Sequence, residues 1–359
     1  METTTYKLKD VLKIGNGKDH SSLPDGEYPV LGSGGIMRYA NRYLYDGESV
    51  LLPRKGTLNN IQYIKGKFWT VDTCYYTIIN QDITHPYYLY RLLRTFDLSG
   101  LDSGASIPSM TSKTYYGIKV QLPPLPTQQK IASILSAYDN LIQNFKKQIE
   151  ALQTAASELY KEWFVRFRFP GYQTTKFENG IPEGWKVEKI GEYCNIRIGG
   201  DVPEENSETK DEKHKYPIFS NGINEDGLYG FADTFKISEP SVTISARGTV
   251  GFVCLRREPY YPIVRLICLI PRKDLGVFYL YHSLEYADLD GNGTSQQQLT
   301  APMVSKRKIV IAEENLIEKF NLNAKIIYNK IDLLKIQITN LTQQRDLLLP
   351  RLMSGKLEV

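Results

Sequence analysis

The chain has 359 residues, of which 42% are hydrophobic and 23% are charged, and its formal net charge is +4. This composition is typical of a folded globular protein and argues against intrinsic disorder. The chain is longer than one ordinary domain needs. No apolar run approaches the roughly 18 residues of a transmembrane helix, and the N-terminus lacks a signal peptide's apolar stretch, so we expect a cytoplasmic protein with no membrane partner. The four cysteines show neither a C-x-x-C pair nor a zinc spacing, which predicts buried thiols in a reducing compartment.

Residues 1–125 are predicted to form a mixed α/β domain. His85–Leu93 has the pattern of a short amphipathic helix within it. Three prolines within Leu122–Pro126 end the domain, because proline cannot continue a central strand, and Thr127 is placed to cap the helix that follows. The β-rich runs between turns of Gly, Asn and Asp are Ser49–Leu52, Phe68–Val71 and Tyr75–Ile79.

Residues 126–166 are predicted to form a long central helix. Apolar side chains recur alternately four and three residues apart from Ile131 to Trp163, which is the heptad pattern of a coiled coil. A second helix with this pattern is predicted in residues 313–359, where Pro350 bends or ends it. The side chains predicted to pair the two helices are Ile142, Phe145, Ile149, Leu152 and Leu159 in the first and Ile331, Leu334, Ile338, Leu341 and Leu348 in the second.

A linker in residues 167–185 leads to a second mixed α/β domain in residues 186–312, which repeats the first. Each long helix has an apolar stripe that must be covered by another helix. The other long helix of the same chain has the highest effective concentration, so we expect the two helices to pair. Antiparallel pairing gives a pseudo-twofold particle, whereas parallel pairing is permitted by the linker but leaves a lopsided one. The predicted fold class is therefore α+β, with two such domains in tandem repeat and two long helices in an antiparallel coiled coil. The repeat pairs Tyr28–Val30 with Tyr216–Ile218, Lys55–Thr57 with Arg247–Thr249, and Ser103–Ser106 with Asn292–Ser295.

The sequence contains no recognisable catalytic constellation. It lacks a Gly-x-Gly-x-x-Gly motif and a phosphate-binding lysine loop, and its histidines lie far apart without a metal-ligand spacing. We therefore predict a non-enzymatic chain with no catalytic residue and no metal site. The histidines are His20, His85, His214 and His282.

Two polar loops in each domain are the candidate binding residues. Lys and Arg suit phosphate groups, and Asn and Gln can pair bidentately with adenine, so these loops fit a DNA reader. Gly56 and Gly248 are equally consistent with plain turn glycines, and the glutamine tract with a polar surface. The candidates are Arg54, Lys55, Thr57, Asn59, Asn60, Ser106, Ser109 and Lys113 in the first domain and Ser220, Asn221, Arg247, Thr249, Gln296, Gln297, Gln298 and Lys306 in the second.

Over essentially its whole length the chain resembles the specificity subunit of type I restriction-modification systems. The resemblance is carried, in order, by Arg54–Thr57, Pro123–Ile131, Leu159–Val165, Asn179–Trp185 and Leu348–Leu357. It implies two target-recognition domains that each read half of a gapped site in double-stranded DNA, and helices that set the gap.

The same resemblance implies partners that perform the chemistry. Two modification subunits, bound by the helices, would methylate adenine from S-adenosylmethionine, and restriction subunits would cleave DNA with ATP and Mg²⁺, so this chain would hold no cofactor. One departure is that the second domain has Ala246-Arg247 where the first has Arg54-Lys55. The alternative function is a coiled-coil adaptor or scaffold without DNA specificity.

Overall fold

A computed structural model describes residues 2–98, 100, 109–272, 275–287, 298–357 and 359. The chain divides into two compact units, of which unit 1 comprises Met1–Lys146 with Lys335–Val359 and unit 2 comprises Lys147–Leu334. Both units are α+β. Two long helices, Leu125–Tyr160 and Glu314–Met353, each contribute one part to unit 1 and the other part to unit 2.

Unit 1 is built on a six-stranded sheet. Its elements in chain order are β1 (Thr4–Lys7), α1 (Leu8–Val11), β2 (Leu12–Asn16), β3 (Asp25–Gly32), β4 (Gly35–Ala40), β5 (Tyr45–Pro53), β6 (Gln62–Thr70), β7 (Cys74–Ile79), α2 (Pro86–Leu93), α3 (Ser112–Gly117), β8 (Lys119–Leu122) and the first part of α4 (Leu125–Tyr160). The strand order is β2-β7-β5-β6-β3-β4, with β3 and β6 parallel, and β1 pairs separately with β8. Strand β5 is interior to the sheet, which explains its run of buried side chains from Val50 to Pro53. All three β-rich runs predicted in this domain fall on strands that begin earlier than predicted, and β6 ends at Thr70, one residue before the predicted end.

Helix α2 lies at the position of the predicted short amphipathic helix. His85 takes the N-cap position and Pro86 the first turn, where its missing N–H is not needed. The helix is buried on most of its surface, and even Arg91 is only 2% exposed. The predicted helix is therefore confirmed, and its polar residue Arg91 can be buried because Tyr87 and Asp139 of α4 satisfy it internally.

Unit 2 carries two four-stranded sheets. Its elements after α4 are a π-helical turn (Lys161–Val165), a 3₁₀ turn (Tyr172–Thr174), β9 (Phe177–Glu178), β10 (Ile181–Pro182), β11 (Lys186–Lys189), α5 (Ile190–Tyr193), β12 (Cys194–Ile198), β13 (Asn206–Ser207), β14 (Tyr216–Phe219), a 3₁₀ turn (Asn224–Gly227), β15 (Leu228–Ala232), β16 (Ser241–Ile244), β17 (Val253–Arg256), β18 (Tyr261–Pro262), β19 (Ile267–Pro271), α6 (Val277–Tyr286), α7 (Ala301–Lys306), β20 (Lys308–Ile311) and the start of α8 (Glu314–Met353). The sheet orders are β12-β19-β16-β17 and β13-β15-β14-β18, and β11 pairs with β20 as β1 pairs with β8 in unit 1.

The ends of the long helices correct two predictions. Helix α4 begins at Leu125, so Thr127 lies inside it and is not its cap, because Pro126 in the first turn does not interrupt a helix. Helix α8 continues through Pro350 to Met353, so Pro350 does not end it, and Gly355 follows with a φ of +70°. Every heptad residue predicted for pairing is buried or half-buried.

The four cysteines are free and buried, as predicted. Burial raises the pKa of both Cys74 and Cys268 to about 11, so these thiols stay protonated and unreactive at neutral pH. Among the helices in the described part of the chain, none combines the length and the apolar character that crossing a membrane requires.

Candidate nucleic-acid interface

In unit 1 the two predicted loops meet at the end of strand β5. The Met110 N–H donates to the Arg54 carbonyl at 3.0 Å, and Lys55 forms an isolated bridge with Ser109. The backbone N–H of Arg54 also donates to the Thr73 carbonyl at 2.8 Å, so the turn between β6 and β7 joins the same place. We call these segments, Ser33, Arg54–Asn60, Asp72–Thr73 and Ser109–Lys113, the first loop cluster.

The cations of the first loop cluster face solvent. Arg54, Lys55 and Lys113 are exposed, and within the described residues none of the three forms a salt bridge. Lys113 lies in α3, whose first turn is capped by the Thr111 hydroxyl accepting from the Thr114 N–H at 3.2 Å. Unpaired cations on short, hydrogen-bonded segments are suited to bind phosphate groups.

Asn59 and Asn60, which were predicted to read adenine, form side-chain hydrogen bonds that fix the loop Arg54–Asn60 in place. The Asn59 side chain accepts from the Leu98 N–H at 2.8 Å and donates to Asp97 at 3.3 Å. The Asn60 amide nitrogen donates to the Ser33 carbonyl. Each amide therefore has part of its hydrogen-bonding capacity taken by the protein, and Thr57 adds a carbonyl that accepts from the Asn60 N–H at 3.1 Å.

Unit 2 repeats this construction with different side chains. The Leu299 N–H donates to the Ala246 carbonyl at 3.1 Å, which is the equivalent of the bond between Met110 and Arg54. Gly248, with a φ of +70°, occupies the place of Gly56, with a φ of +90°. We call Ser220–Asn221, Ala246–Thr249, Val264–Arg265 and Gln298–Thr300 the second loop cluster.

Asn221 ties the second loop cluster together. Its side-chain oxygen accepts from the Ala246 N–H at 2.7 Å, and its nitrogen donates to the Val264 carbonyl at 2.6 Å. Ser220 donates its N–H to the Gly227 carbonyl at 2.9 Å. Asn221 was predicted as a base reader, but in this geometry it connects two loops and does the work that a direct backbone bond between Arg54 and Thr73 does in unit 1.

The remaining predicted residues of unit 2 are placed as follows. Arg247, Thr249, Gln298 and Lys306 are exposed, with Lys306 at the last residue of α7. When its amide oxygen is turned toward Arg247, Gln298 accepts from Nη2 and Nε at 2.9 Å each. Gln298 is therefore placed to orient the guanidinium. Three predicted residues, Ser106, Gln296 and Gln297, lie outside the described residues.

The turns Asp72–Thr73 and Val264–Arg265 were missed by the sequence prediction. In both units a glycine packs against the turn, since the Gly17 N–H donates to the Cys74 carbonyl at 3.1 Å and the Gly199 N–H to the Leu266 carbonyl at 2.8 Å. An aspartate in a turn is a usable signal for the first of them. Val264-Arg265 carries no turn residue, and both residues have positive φ, of 52° and 60°. For residues other than glycine such a conformation costs about 1–2 kcal/mol each.

In each unit a buried polar network joins a short helix, α2 or α6, to the long helices. In unit 1, Asp139 binds Arg91, Tyr87 and Arg345, the last at 2.7 Å. Burial alone would raise the Asp139 pKa, but hydrogen bonds from Tyr87 and Arg345 and the charges of both arginines outweigh it, so this pKa is lowered. In unit 2 the corresponding network is centred on His282, which is bonded to the Tyr328 hydroxyl at 3.2 Å and lies 3.0 Å from the Glu285 carboxylate.

The chemistry of the described residues is that of binding. Nowhere in the described ranges do three or more His, Cys, Asp or Glu side chains form a group that could hold a metal ion. Exposed Arg, Lys, Thr and Gln side chains on hydrogen-bonded loops can contact phosphates and base edges. The two loop clusters can therefore bind nucleic acid.

Comparison with known proteins supports this assignment. The family model described as type I restriction modification DNA specificity domain matches residues 1–154 and 182–344. A protein of Mycoplasma pneumoniae that bears the name of a type I specificity subunit is 30% identical over 322 residues, which cover 87% of this chain and 85% of that protein. The MjaIX specificity subunit of Methanocaldococcus jannaschii is 24% identical over 403 residues, which cover 98% and 93% of the two chains.

A solved structure shares the fold. The S subunit of a type I restriction-modification system from M. genitalium superposes with a TM-score of 0.66 at 16% identity, covering 98% of this chain and 96% of that chain. The family model covers well over half of the sequence in two matches, one for each half of the repeat. The chain therefore belongs to the family of type I restriction-modification DNA specificity subunits, and its role is to supply DNA sequence specificity without being catalytic itself.

Proposed function

We propose that each loop cluster reads one half of a gapped DNA site and that this chain directs partner subunits to that site. The observation that carries the proposal is the shared backbone bond, from Met110 to Arg54 and from Leu299 to Ala246. It places equivalent loops in both units, while the side chains on those loops differ. A duplicated scaffold with divergent contact residues suits two half-sites of different sequence.

The residues of the two clusters, together with Lys306 at the end of α7, divide into positioning and reading roles. Arg54, Lys55, Lys113, Arg247 and Lys306 supply charge to phosphates and set the register on the duplex. Thr57, Ser109 and Thr249 contact base edges, and Gln298 either contacts a base edge or orients Arg247. Because their amides hold the loops, Asn59, Asn60, Ser220 and Asn221 shape these surfaces in addition to any contact they make.

We propose further that α4 and α8 pair as an antiparallel coiled coil that sets the gap and relates the two halves by a pseudo-twofold axis. Contacts within unit 1 support antiparallel pairing, because Lys130 reaches Val359 at 3.4 Å while Asp139 reaches Arg345 at 2.7 Å. Val359 follows the C-terminal end of α8, so the start of α4 lies near that end, whereas Asp139, further along α4, lies beside Arg345, which precedes that end. With 36 residues, α4 spans about 54 Å at ~1.5 Å per residue.

The partners follow from the family. Two modification subunits bound by these helices methylate adenine from S-adenosylmethionine, and restriction subunits cleave DNA with ATP and Mg²⁺. This chain contributes the choice of sequence and the geometry, and it holds no cofactor. A coiled-coil adaptor without DNA specificity is not favoured, since it gives no reason for an exposed cation at the equivalent position of both units, Lys55 in unit 1 and Arg247 in unit 2.

The proposal is tested by sequencing adenine methylation in the source cell with the gene present and deleted. We expect one gapped, two-part motif to disappear on deletion and to return on complementation. A methylome that does not change, although this chain and its modification partners are expressed and assembled, contradicts the proposal and favours the adaptor.

The role of the helices has its own test. Removing one heptad from both α4 and α8 shortens each by about 10 Å, which corresponds to about three base pairs. The spacer of the methylated motif should shorten by that amount while both half-sites stay the same. Altered half-sites with an unchanged spacer would show that the helices do not set the gap.

A further inference from the structure

The turn between β18 and β19 combines a strained backbone with two exposed side chains. The Leu266 N–H donates to the Ile263 carbonyl at 3.1 Å, which closes a four-residue turn around Val264 and Arg265. Both central residues have positive φ, the pattern of a type I′ turn, for which Asn-Gly is the favoured sequence. A β-branched residue at such a position is an outlier. This sequence is therefore not explained by turn formation.

The surroundings hold this turn rigidly. The Val264 N–H donates to Gly200 at 2.8 Å and the Arg265 N–H to Gly199 at 3.1 Å. A Cβ on Gly199 would lie 2.7 Å from the Ile263 carbonyl oxygen. Only glycine at position 199 therefore lets this segment approach the turn so closely. On the other side, Asn221 donates to the Val264 carbonyl at 2.6 Å and connects the turn to Ala246 and hence to the loop of Arg247.

The side chains of the turn point away from the core. Val264 is 47% exposed, and Arg265 is exposed with no hydrogen bond or salt bridge from its side chain within the described residues. An exposed branched apolar side chain beside an unpaired guanidinium matches the contacts that read a base step in the major groove, namely a thymine methyl group and the O6 and N7 acceptors of guanine. Backbone strain that persists at an exposed position is characteristic of a functional site.

Unit 1 has a turn at the equivalent place, with a different backbone conformation and different chemistry. The Cys74 N–H donates to the Val71 carbonyl at 3.0 Å, as Leu266 does to Ile263, but the central residues are Asp72 and Thr73, and neither has positive φ. An aspartate accepts hydrogen bonds, so it suits a cytosine amino group and disfavours the acceptor edge of guanine. The backbone contacts around the turn are thus shared between the two units, whereas the bases that the two turns would prefer differ.

We propose that the Val264–Arg265 turn is a base-reading element of the second domain, in which Arg265 pairs with a guanine and Val264 packs against a thymine methyl group of the neighbouring pair. This inference rests on the proposed function, because it names residues of the same DNA interface. It assigns specificity to two residues outside the polar loops. The Asp72–Thr73 turn then reads a different base at the equivalent position of the other half-site.

The test uses the full-length chain with its modification partners. In Val264→Asn/Arg265→Gly the turn receives its favoured sequence, so thermal denaturation should show unchanged or increased stability. The methylated motif should lose discrimination by about 10- to 100-fold at one or two adjacent pairs of a single half-site. The other half-site and the spacer should stay as they are. Arg265→Ala alone should relax only a G·C pair, and Lys210→Ala, which removes one charge from the exposed loop of unit 2, should leave the motif unchanged.

The outcomes separate the inference from the function on which it rests. If the wild-type complex methylates a gapped motif and the double variant methylates the same motif at the same level, the turn is structural and the inference falls. If Arg265→Ala weakens binding equally on all sequences, Arg265 contacts a phosphate and the base-reading role is wrong. If the wild-type complex has no sequence-specific methylation, the proposed function fails first and the inference with it.

Discussion

The first and second loop clusters share a backbone and differ in their side chains. The carbonyls of Arg54 and Ala246 accept equivalent hydrogen bonds from a later loop of their own unit. Gly17 and Gly199 likewise pack against equivalent turns, one in each unit. On this common frame unit 1 carries Asp72-Thr73 where unit 2 carries Val264-Arg265. The comparison teaches that the two units share backbone contacts that place equivalent loops, whereas the side chains on those loops differ.

The networks that hold each unit on the helices diverge in the same way. At one helix position unit 1 has Asp139, which binds two arginines, and at the equivalent position unit 2 has Tyr328, which binds His282. Unit 1 thus relies on a carboxylate between two arginines. In unit 2 His282 contacts the Glu285 carboxylate at 3.0 Å and packs among aromatic rings, with the Tyr160 ring stacked on it at a centroid distance of 6.0 Å. The two halves should therefore respond differently to the same kind of substitution.

The largest expected effect comes from breaking the charged network. Asp139→Asn leaves the buried guanidinium of Arg91 without its counter-charge and should destabilise unit 1 by about 3 kcal/mol. The matched change Tyr328→Phe removes one hydrogen bond, to His282, and should destabilise unit 2 by about 1 kcal/mol. Hydrogen exchange read by mass spectrometry assigns each loss to its unit. Equal losses in both units would contradict the comparison.

The same network predicts a pH dependence. The pKa of Asp139 is lower in the folded chain than in the unfolded one, so its contribution is fully present above the unfolded value of about 4 and is lost as the pH falls through the folded pKa. The protection of unit 1 amides against hydrogen exchange, corrected for the intrinsic pH dependence of exchange, should fall below about pH 4, and Asp139→Asn should remove that part of the dependence. An unchanged acid profile in the variant would assign the sensitivity to other carboxylates.

The next effect concerns the two glycines that pack against the equivalent turns of the two units. A Cβ on Gly17 would lie 1.9 Å from the Val71 carbonyl oxygen, and one on Gly199 would lie 2.7 Å from that of Ile263. Replacement by alanine should cost about 1–3 kcal/mol at either site, more at Gly17. Gly34→Ala is the control, since nothing lies within 4 Å of its added Cβ. Chemical denaturation of the three variants measures this, and a neutral Gly17→Ala would mean that the turn moves freely.

Much of this frame could be predicted from the sequence, but its functional surface only in part. Strict heptads predicted α4 and α8, and the repeated Lys55-Gly56-Thr57 and Arg247-Gly248-Thr249 predicted equivalent loops. Sequence could not show that Asn221 bridges Ala246 and Val264, because those three residues meet only through the parallel pairing of β14 with β18. Val264-Arg265 was missed because it has none of the residues that mark a turn, and Arg91 because its partner Asp139 is 48 residues away.

A smaller effect tests whether the two units grip phosphate alike. Lys55→Ala and Arg247→Ala should each weaken binding to every sequence and lower the slope of log K against log salt by about one. Lys210→Ala should lower neither. Fluorescence anisotropy with specific and unrelated duplexes across a salt series measures both quantities. If one of the two variants changes the preferred sequence and leaves the salt slope intact, that residue reads a base.

The smallest effect distinguishes two roles for Gln298. Its amide faces the guanidinium of Arg247, with two contacts of 2.9 Å when the oxygen is the acceptor, whereas Lys55 in unit 1 forms no salt bridge within the described residues. If Gln298 orients Arg247 on a phosphate, Gln298→Ala should weaken binding about two- to fivefold on all sequences, which corresponds to the ~0.5–1 kcal/mol of a typical hydrogen bond. The effect should vanish in an Arg247→Ala background, because residues that act through one contact are not additive. If Gln298 reads adenine instead, its removal should relax one base pair of the motif in both backgrounds, and the double-mutant cycle on DNA affinity decides between the two.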